Sequence, residues 1–202
     1  MTPRLIIEQK ITAFVNKYAV YAANSDGTKG ELRAFAQQKR LAFKEKVTFY
    51  NDEAKTQVAF TLRAEKVLDV HGRYFVEDPN GQLVGAFKKN FAKSLLNSTW
   101  FILDTNGEPK LVISESNEAI AILRRFIGFL PIIGGLAEIV MVFFRYHFNF
   151  IDTSTKQPVG RYQKTTLIRD HYVLSMTDEA FAKEDWRVLA AMAVGLDALQ
   201  SR

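Results

Sequence analysis

One turn recurs along this chain at a regular spacing, and it limits the fold more than any other feature. An aromatic-rich run leads into Asp or Asn with Gly, a second apolar run leaves, and basic residues follow. The clearest copy is Arg73-Tyr-Phe-Val-Glu-Asp-Pro-Asn-Gly-Gln-Leu-Val-Gly-Ala-Phe-Lys-Lys89, and the next is Thr99-Trp-Phe-Ile-Leu-Asp-Thr-Asn-Gly-Glu-Pro-Lys-Leu-Val-Ile113. Weaker copies surround Asn24-Ser-Asp-Gly27, Asn51-Asp-Glu53 and Asp152-Thr-Ser-Thr155. Asn-Gly between alternating apolar runs signals a hairpin, because both turn residues tolerate positive φ. The turns come about every 26 residues. That spacing suits a β-meander closing into a barrel and is too short for βαβ units with helical crossovers.

Residues 3 to 115 read as consecutive short strands. Val15 to Ala23 and Leu32 to Phe35 flank the first turn, and Phe43 to Tyr50 and Gln57 to Leu62 the second. Tyr74 to Glu77 and Leu83 to Phe87 flank the third, and Trp100 to Leu103 and Lys110 to Ser114 the fourth. The hairpins resume with Tyr146 to Ile151, Val159 to Tyr162 and His171 to Met176. With 202 residues, 48% of them hydrophobic and 24% charged, the chain fits a single domain over 1–202 with a real core and argues against disorder. The 16 Phe and 7 Tyr favour strands.

Two segments break the rhythm. From 116 to 145 an apolar insertion replaces one connection. Its first part, Asn117 to Leu130, has apolar residues at 119, 120, 123, 126, 127 and 130, which is helical spacing. Pro131, Gly134 and Gly135 interrupt it, and Leu136 to Phe144 reads as a second short helix or a strand lead-in. The second segment is C-terminal. From Thr177 to Leu199 the chain reads as one helix, capped by Asp185 or Thr177, with acids in its first turn. From Val188 onward it is apolar almost all round, Asp197 excepted, so it belongs in a core or in lipid. Twelve residues are too few to span a bilayer, which needs about 20. A barrel of many strands needs something to fill it. The expected central helix, 184–199, is therefore a plug.

Strand hairpins with Asp-x-x-Gly turns, closed by a terminal apolar helix with a late acid, resemble the LURP-one-related family. The matching stretches are Tyr74 to Gly85, Thr99 to Gly107 and Asp185 to Leu199. The family shares the Tubby C-terminal-like fold with the phospholipid scramblases. The resemblance implies a mainly β protein, an antiparallel barrel of about twelve strands around a buried C-terminal helix. Tubby domains resemble phosphoinositide readers, and scramblases act on bilayer lipids, but a shared fold does not transfer function. No phosphoinositide-site motif maps onto this sequence residue by residue. The 116–145 insertion departs from the family's repeat.

No catalytic constellation is present. The chain lacks a nucleophile elbow, a P-loop, a zincin helix and a dinucleotide fingerprint. With no cysteine it has neither thiolate chemistry nor Cys-ligated zinc, which fits a reducing compartment. His71, His147 and His171 lie far apart without partners at ligand spacing, and read as rim or core histidines. Asp197 reads as a paired acid at the barrel mouth. The expectation is a non-catalytic module that needs no metal or cofactor, with scramblase-like activity left open by the resemblance. No apolar leader is visible at Met1 to Lys10, so the expected place is the cytoplasm, peripheral at a membrane. The sequon Asn97-Ser-Thr99 carries little weight there.

Charge follows the hairpins. In a meander, tight turns gather at one end and the longer connections at the other. Acids fall at the tight turns: Asp26, Asp52, Glu53, Asp78, Asp104, Glu108, Asp152. Basic residues fall towards the other end: Lys39, Arg40, Lys44, Arg63, Lys66, Lys88, Lys89, Lys93, Arg161, Lys164, Arg169. The apolar run Phe126 to Phe144 leaves from that end, flanked by Arg124, Arg125 and Arg145. Basic residues bordering an apolar stretch suit an anionic phospholipid surface. The candidate contact residues are Lys88, Lys89, Lys93, Arg124, Arg125, Phe129, Ile132, Arg145, Arg161 and Lys164. A protein partner is the rival, since an exposed apolar insertion serves either, and the insertion also suits a cover packed over the barrel end. A transmembrane reading of 126–144 is weaker, because the run contains Pro131, three glycines and Glu138. Nucleic acid ranks below lipid, because the aromatics occupy positions expected to point inward instead of interleaving with Lys and Arg.

Overall fold

The computed structural model describes residues 1–12, 15–39, 46–65, 72–90, 99–116, 147–166 and 170–200. The first strands are β1 (Thr2–Ile11), β2 (Val15–Ala23), β3 (Lys29–Lys39), β4 (Lys46–Tyr50), β5 (Val58–Ala64) and β6 (Arg73–Glu77). They are followed by β7 (Leu83–Lys89), β8 (Thr99–Leu103), β9 (Pro109–Glu115), β10 (His147–Asp152), β11 (Pro158–Lys164) and β12 (Asp170–Met176). Two helices end the described chain, α1 (Asp178–Lys183) and α2 (Trp186–Gln200). The 12 strands form one closed antiparallel barrel, each pairing with its sequence neighbours and β1 pairing with β12. Closure satisfies the backbone donors and acceptors that an edge strand would leave open.

The turns explain why the strands reverse where they do. Asp78 Oδ1 accepts the backbone N–H of Asn80 and of Gln82, both at 2.8 Å. Asp104 repeats this with Asn106 and Glu108, again at 2.8 Å. Gly81 (φ 81°) and Gly107 (φ 85°) occupy the left-handed position that each turn requires. All five such turns lie at one end of the barrel, here the turn end. The connection end carries every other strand junction.

Alternation decides what is inside. Tyr18, Val20, Phe49, Phe60, Phe87, Trp100, Phe148, Phe150, Tyr162 and Tyr172 are at most 1% exposed and face one core. Helix α2 runs through its centre. Val188, Leu189, Met192 and Leu196 on one face are 3%, 0%, 0% and 0% exposed, and Ala190, Ala191 and Val194 on the other sides are at most 1% exposed, as a plug requires. Each large apolar side chain buried this way contributes about 1.5–3 kcal/mol.

The expected single helix over 177–199 is two helices, and both predicted caps are used. Thr177 Oγ1 accepts the N–H of Ala180 to start α1. Asp185 Oδ1 accepts the N–H of Arg187 at 2.8 Å to start α2. Between them Glu184 is extended (φ −110°, ψ 140°), which lets the chain turn from the turn end into the interior. Val188 meets β7 near the turn end and Tyr162 Oη donates to the carbonyl of Ala193 further along, so α2 points its C-terminus at the connection end. The helices expected within 117–144 lie outside the described residues.

At Gly85 the wall comes close to the helix. A Cβ there would lie 2.6 Å from Val188 Cγ2. Gly85→Ala should therefore destabilise the protein by about 1–3 kcal/mol through overpacking. In urea unfolding, Gly85→Ala combined with Val188→Ala should be more stable than the two single losses added together. Simple additivity would show that the helix does not press on β7.

Candidate functional site

The connection end has a polar layer inside the barrel, above the apolar core. Residues directly opposite in an antiparallel pair share a face. Lys89 pairs with Trp100, Glu115 with Phe148, Lys164 with Tyr172, and Gln9 with both Tyr18 and Asp170. Trp100, Phe148, Tyr172 and Tyr18 are buried core aromatics, so Lys89, Glu115, Lys164, Gln9 and Asp170 also face inward. The layer is held together by short contacts. Lys164 Nζ donates to Asp170 Oδ1 at 2.5 Å and lies 6.0 Å from the Tyr172 ring centroid. Tyr172 stacks on Tyr162 at 5.3 Å. Gln9 Nε2 donates to Tyr18 Oη at 3.0 Å, and Lys89 Nζ sits 5.6 Å from the Trp100 centroid. The negative end of the α2 dipole points at this end, where ammonium groups are favoured.

The described candidate lysines and arginines separate by strand parity. Lys164 is 6% exposed and inside, its charge taken by Asp170. Lys89 is inside beside Trp100. Lys88 is on the outer wall, its Nζ 5.9 Å from the Phe101 centroid. Arg161 is on the outer wall in mid-strand, opposite Asn149 and Ser175. The structure thus brings Lys88, Lys89 and Lys164 to one end, on different faces, and leaves Arg161 halfway along the wall. Lys93, Arg124, Arg125, Phe129, Ile132 and Arg145 lie outside the described residues, as does His71. Asp197 belongs to α2, but its side chain is also outside the described residues. The inward positions of Gln9, Glu115 and Asp170 were not singled out from sequence. Their signal is alternation counted from the buried aromatics: Tyr162 to Lys164, and Asp170 to Tyr172.

The turn end is anionic. The hydroxyls of Thr28 and Thr56 and nearby backbone N–H groups lower the pKa values of Asp26 and Asp52. Asp152, bonded by the Ser154 hydroxyl and the Thr155 and Ser154 backbone, falls from 3.8 to about 2. These acids stay ionised across the physiological range. Burial raises the pKa of Glu184, opposed by Lys110, whose Nζ is 2.7 Å from the carboxylate. For Asp185 burial also pushes upward, but the bonds from Arg187 prevail and the carboxyl falls below its ordinary value.

Among the described residues, no group of three or more His, Cys, Asp or Glu side chains has the geometry to hold a metal ion. No helix among them is long and apolar enough to cross a membrane. What this architecture defines is a helix-plugged, electrically polar barrel. The chain belongs to the LURP-one-related family, whose model matches residues 32–197. No curated protein and no solved structure matches it.

The inner ion pair has a thermodynamic signature. Asp170→Asn removes the carboxylate that accepts from the buried ammonium of Lys164 and should cost about 3 kcal/mol in urea unfolding. Lys164→Met should cost less, because the side chain of Asp170 keeps 21% exposure to water. Lys164→Met with Asp170→Leu should recover most of the loss. Additive losses in the double variant would show that the two groups do not pair.

Proposed function

We propose that this protein is a non-catalytic binding module that docks on anionic phospholipid surfaces with the connection end of its barrel. One observation carries this reading. The closed strand order separates the acidic turns from the segments that join strands at the other end, and those segments contain Arg40, Lys44, Lys66, Lys93, Arg124, Arg125, Arg145 and Arg169. A body with opposite charge at its two ends orients in the field of an anionic leaflet, and each Lys or Arg brought near that surface contributes about 1 kcal/mol. The long apolar run between Arg125 and Arg145 supports the same face, since hydrophobic burial adds to charge attraction at an interface. Lys88 is one described cation on the outer wall at this end, and Arg73 stands opposite it on β6.

Flotation with liposomes tests the proposal. The protein should float with vesicles rich in phosphatidylserine and remain unbound with phosphatidylcholine alone. Lys88→Ala combined with Lys93→Ala should lower the partition constant roughly 30-fold, the equivalent of about 2 kcal/mol. Added salt should weaken wild-type binding, because exposed charges are screened beyond about 8 Å at 0.15 M ionic strength. Phe129→Ser with Ile132→Ser should weaken binding and leave the salt dependence unchanged. Equal flotation on both vesicle types, or on neither, would contradict the proposal, and the second result would favour a protein partner.

A further inference from the structure

We propose that the outer wall of the barrel carries a second site, a groove for a small organic anion with an apolar body and a phosphate or carboxylate head. The groove has a volume of about 890 Å³ and crosses β12, β1, β2 and β3. That is within the range of small-molecule sites, roughly 300–1,000 Å³. Its Lys10, Lys17 and His171 end flanks the β1–β2 and β11–β12 junctions at the connection end, and it runs along the wall to Glu53 in the acidic β4–β5 turn.

Its floor comes from register. Ala19 on β2 lies opposite Phe35 on β3 and opposite Glu8 on β1. The small alanine leaves a depression between Tyr21 and Lys17, its neighbours on the same face of β2. Phe35 closes the side at 4% exposure. An aromatic or short aliphatic body fits on this surface.

The head group is indicated by charge. Lys10 and Lys17 stand directly opposite each other on the outer face. Like charges in that arrangement repel. Among the described residues neither side chain makes a hydrogen bond or an ion pair. Two of the three acids lining the groove are already engaged, and the third, Glu53, lies at its far end. Glu8 holds Lys29 at 3.0 and 3.1 Å, and Asp170 faces inward to Lys164. His171, opposite Glu8, has its Nδ1 2.6 Å from Thr165 Oγ1, so Nε2 is the ring nitrogen left for the groove. Two lysines and an imidazole thus bound one end of a mixed groove whose apolar part is Ala19, Phe35 and the Tyr21 ring. At the other end burial raises the pKa of Tyr21 despite Lys29, which keeps its hydroxyl neutral and able to donate. An anion between the lysines would relieve their repulsion while its body covers Ala19.

Phenyl phosphate titrated into the ¹⁵N-labelled full chain tests this by NMR. Saturable shifts should map to Lys10, Lys17, Ala19 and Phe35. Inorganic phosphate and benzyl alcohol, each carrying half of the chemistry, should bind at least about tenfold more weakly. Lys10→Ala with Lys17→Ala should weaken phenyl phosphate at least about tenfold with an unchanged melting temperature. Ala19→Leu should block the body with both lysines in place. Absence of saturable shifts in the groove, inorganic phosphate binding as tightly as phenyl phosphate, or unaltered binding by the double variant would overturn the site.

Discussion

A barrel of 12 strands encloses more space than its own side chains fill, and the structure depends on how that space is occupied. Barrels of about eight strands close on their side chains alone. Here α2 supplies the missing volume. Its composition fits the position: Ala190, Ala191 and Ala193 keep the helix thin, and Leu189, Met192 and Leu196 reach the wall. The strands reciprocate, with Gly85 yielding to Val188 and Tyr162 donating to the carbonyl of Ala193. An apolar helix of this kind exposed to water would forfeit the burial that stabilises it, and an empty barrel would lose the packing of its lining. Each is stable because the other is present.

The position of the helix also sets the direction of the molecule. β12 finishes at the turn end, α1 is capped there by Thr177, and Glu184 redirects the chain so that α2 enters from that side. The negative end of the helix therefore arrives at the end where Lys89 and Lys164 project into the interior. The acidic turns hold their charge through local hydrogen bonds, so the turn end stays anionic for backbone reasons alone. Polarity at the scale of the whole barrel thus follows from two local requirements, turns that need Asp and a helix that needs cations at its C-terminus.

Much of this was legible in the sequence. Asp26, Asp52, Asp78 and Asp104 are evenly spaced, and each accepts backbone N–H bonds within its own turn. That rhythm marks a meander, and the all-round apolar stretch from Val188 marks its plug. Strand ends were less legible: β3 runs from Lys29 to Lys39 although only Leu32 to Phe35 stood out, because its polar outer residues dilute the pattern. The division into α1 and α2 was hidden because Thr177 and Asp185 each suffice as a cap, and nothing local shows that Glu184 is extended. The facing of the basic residues was the largest omission. Lys88 and Lys89 are neighbours in sequence and face opposite sides of the wall. Lys164 resembles a corner cation and is buried against Asp170. Charge read by position along a strand needs parity before it becomes surface charge.

Native-state hydrogen exchange across α2 tests the interdependence of plug and wall most directly. If the helix cannot leave while the barrel stays closed, the slowest amides from Leu189 to Leu196 should exchange with the same opening free energy as those of Phe87 and Tyr162 in the wall, and both should match global unfolding. Helix amides that exchange at a clearly lower free energy, with the strands still protected, would show that the barrel stands without its plug and would contradict the account.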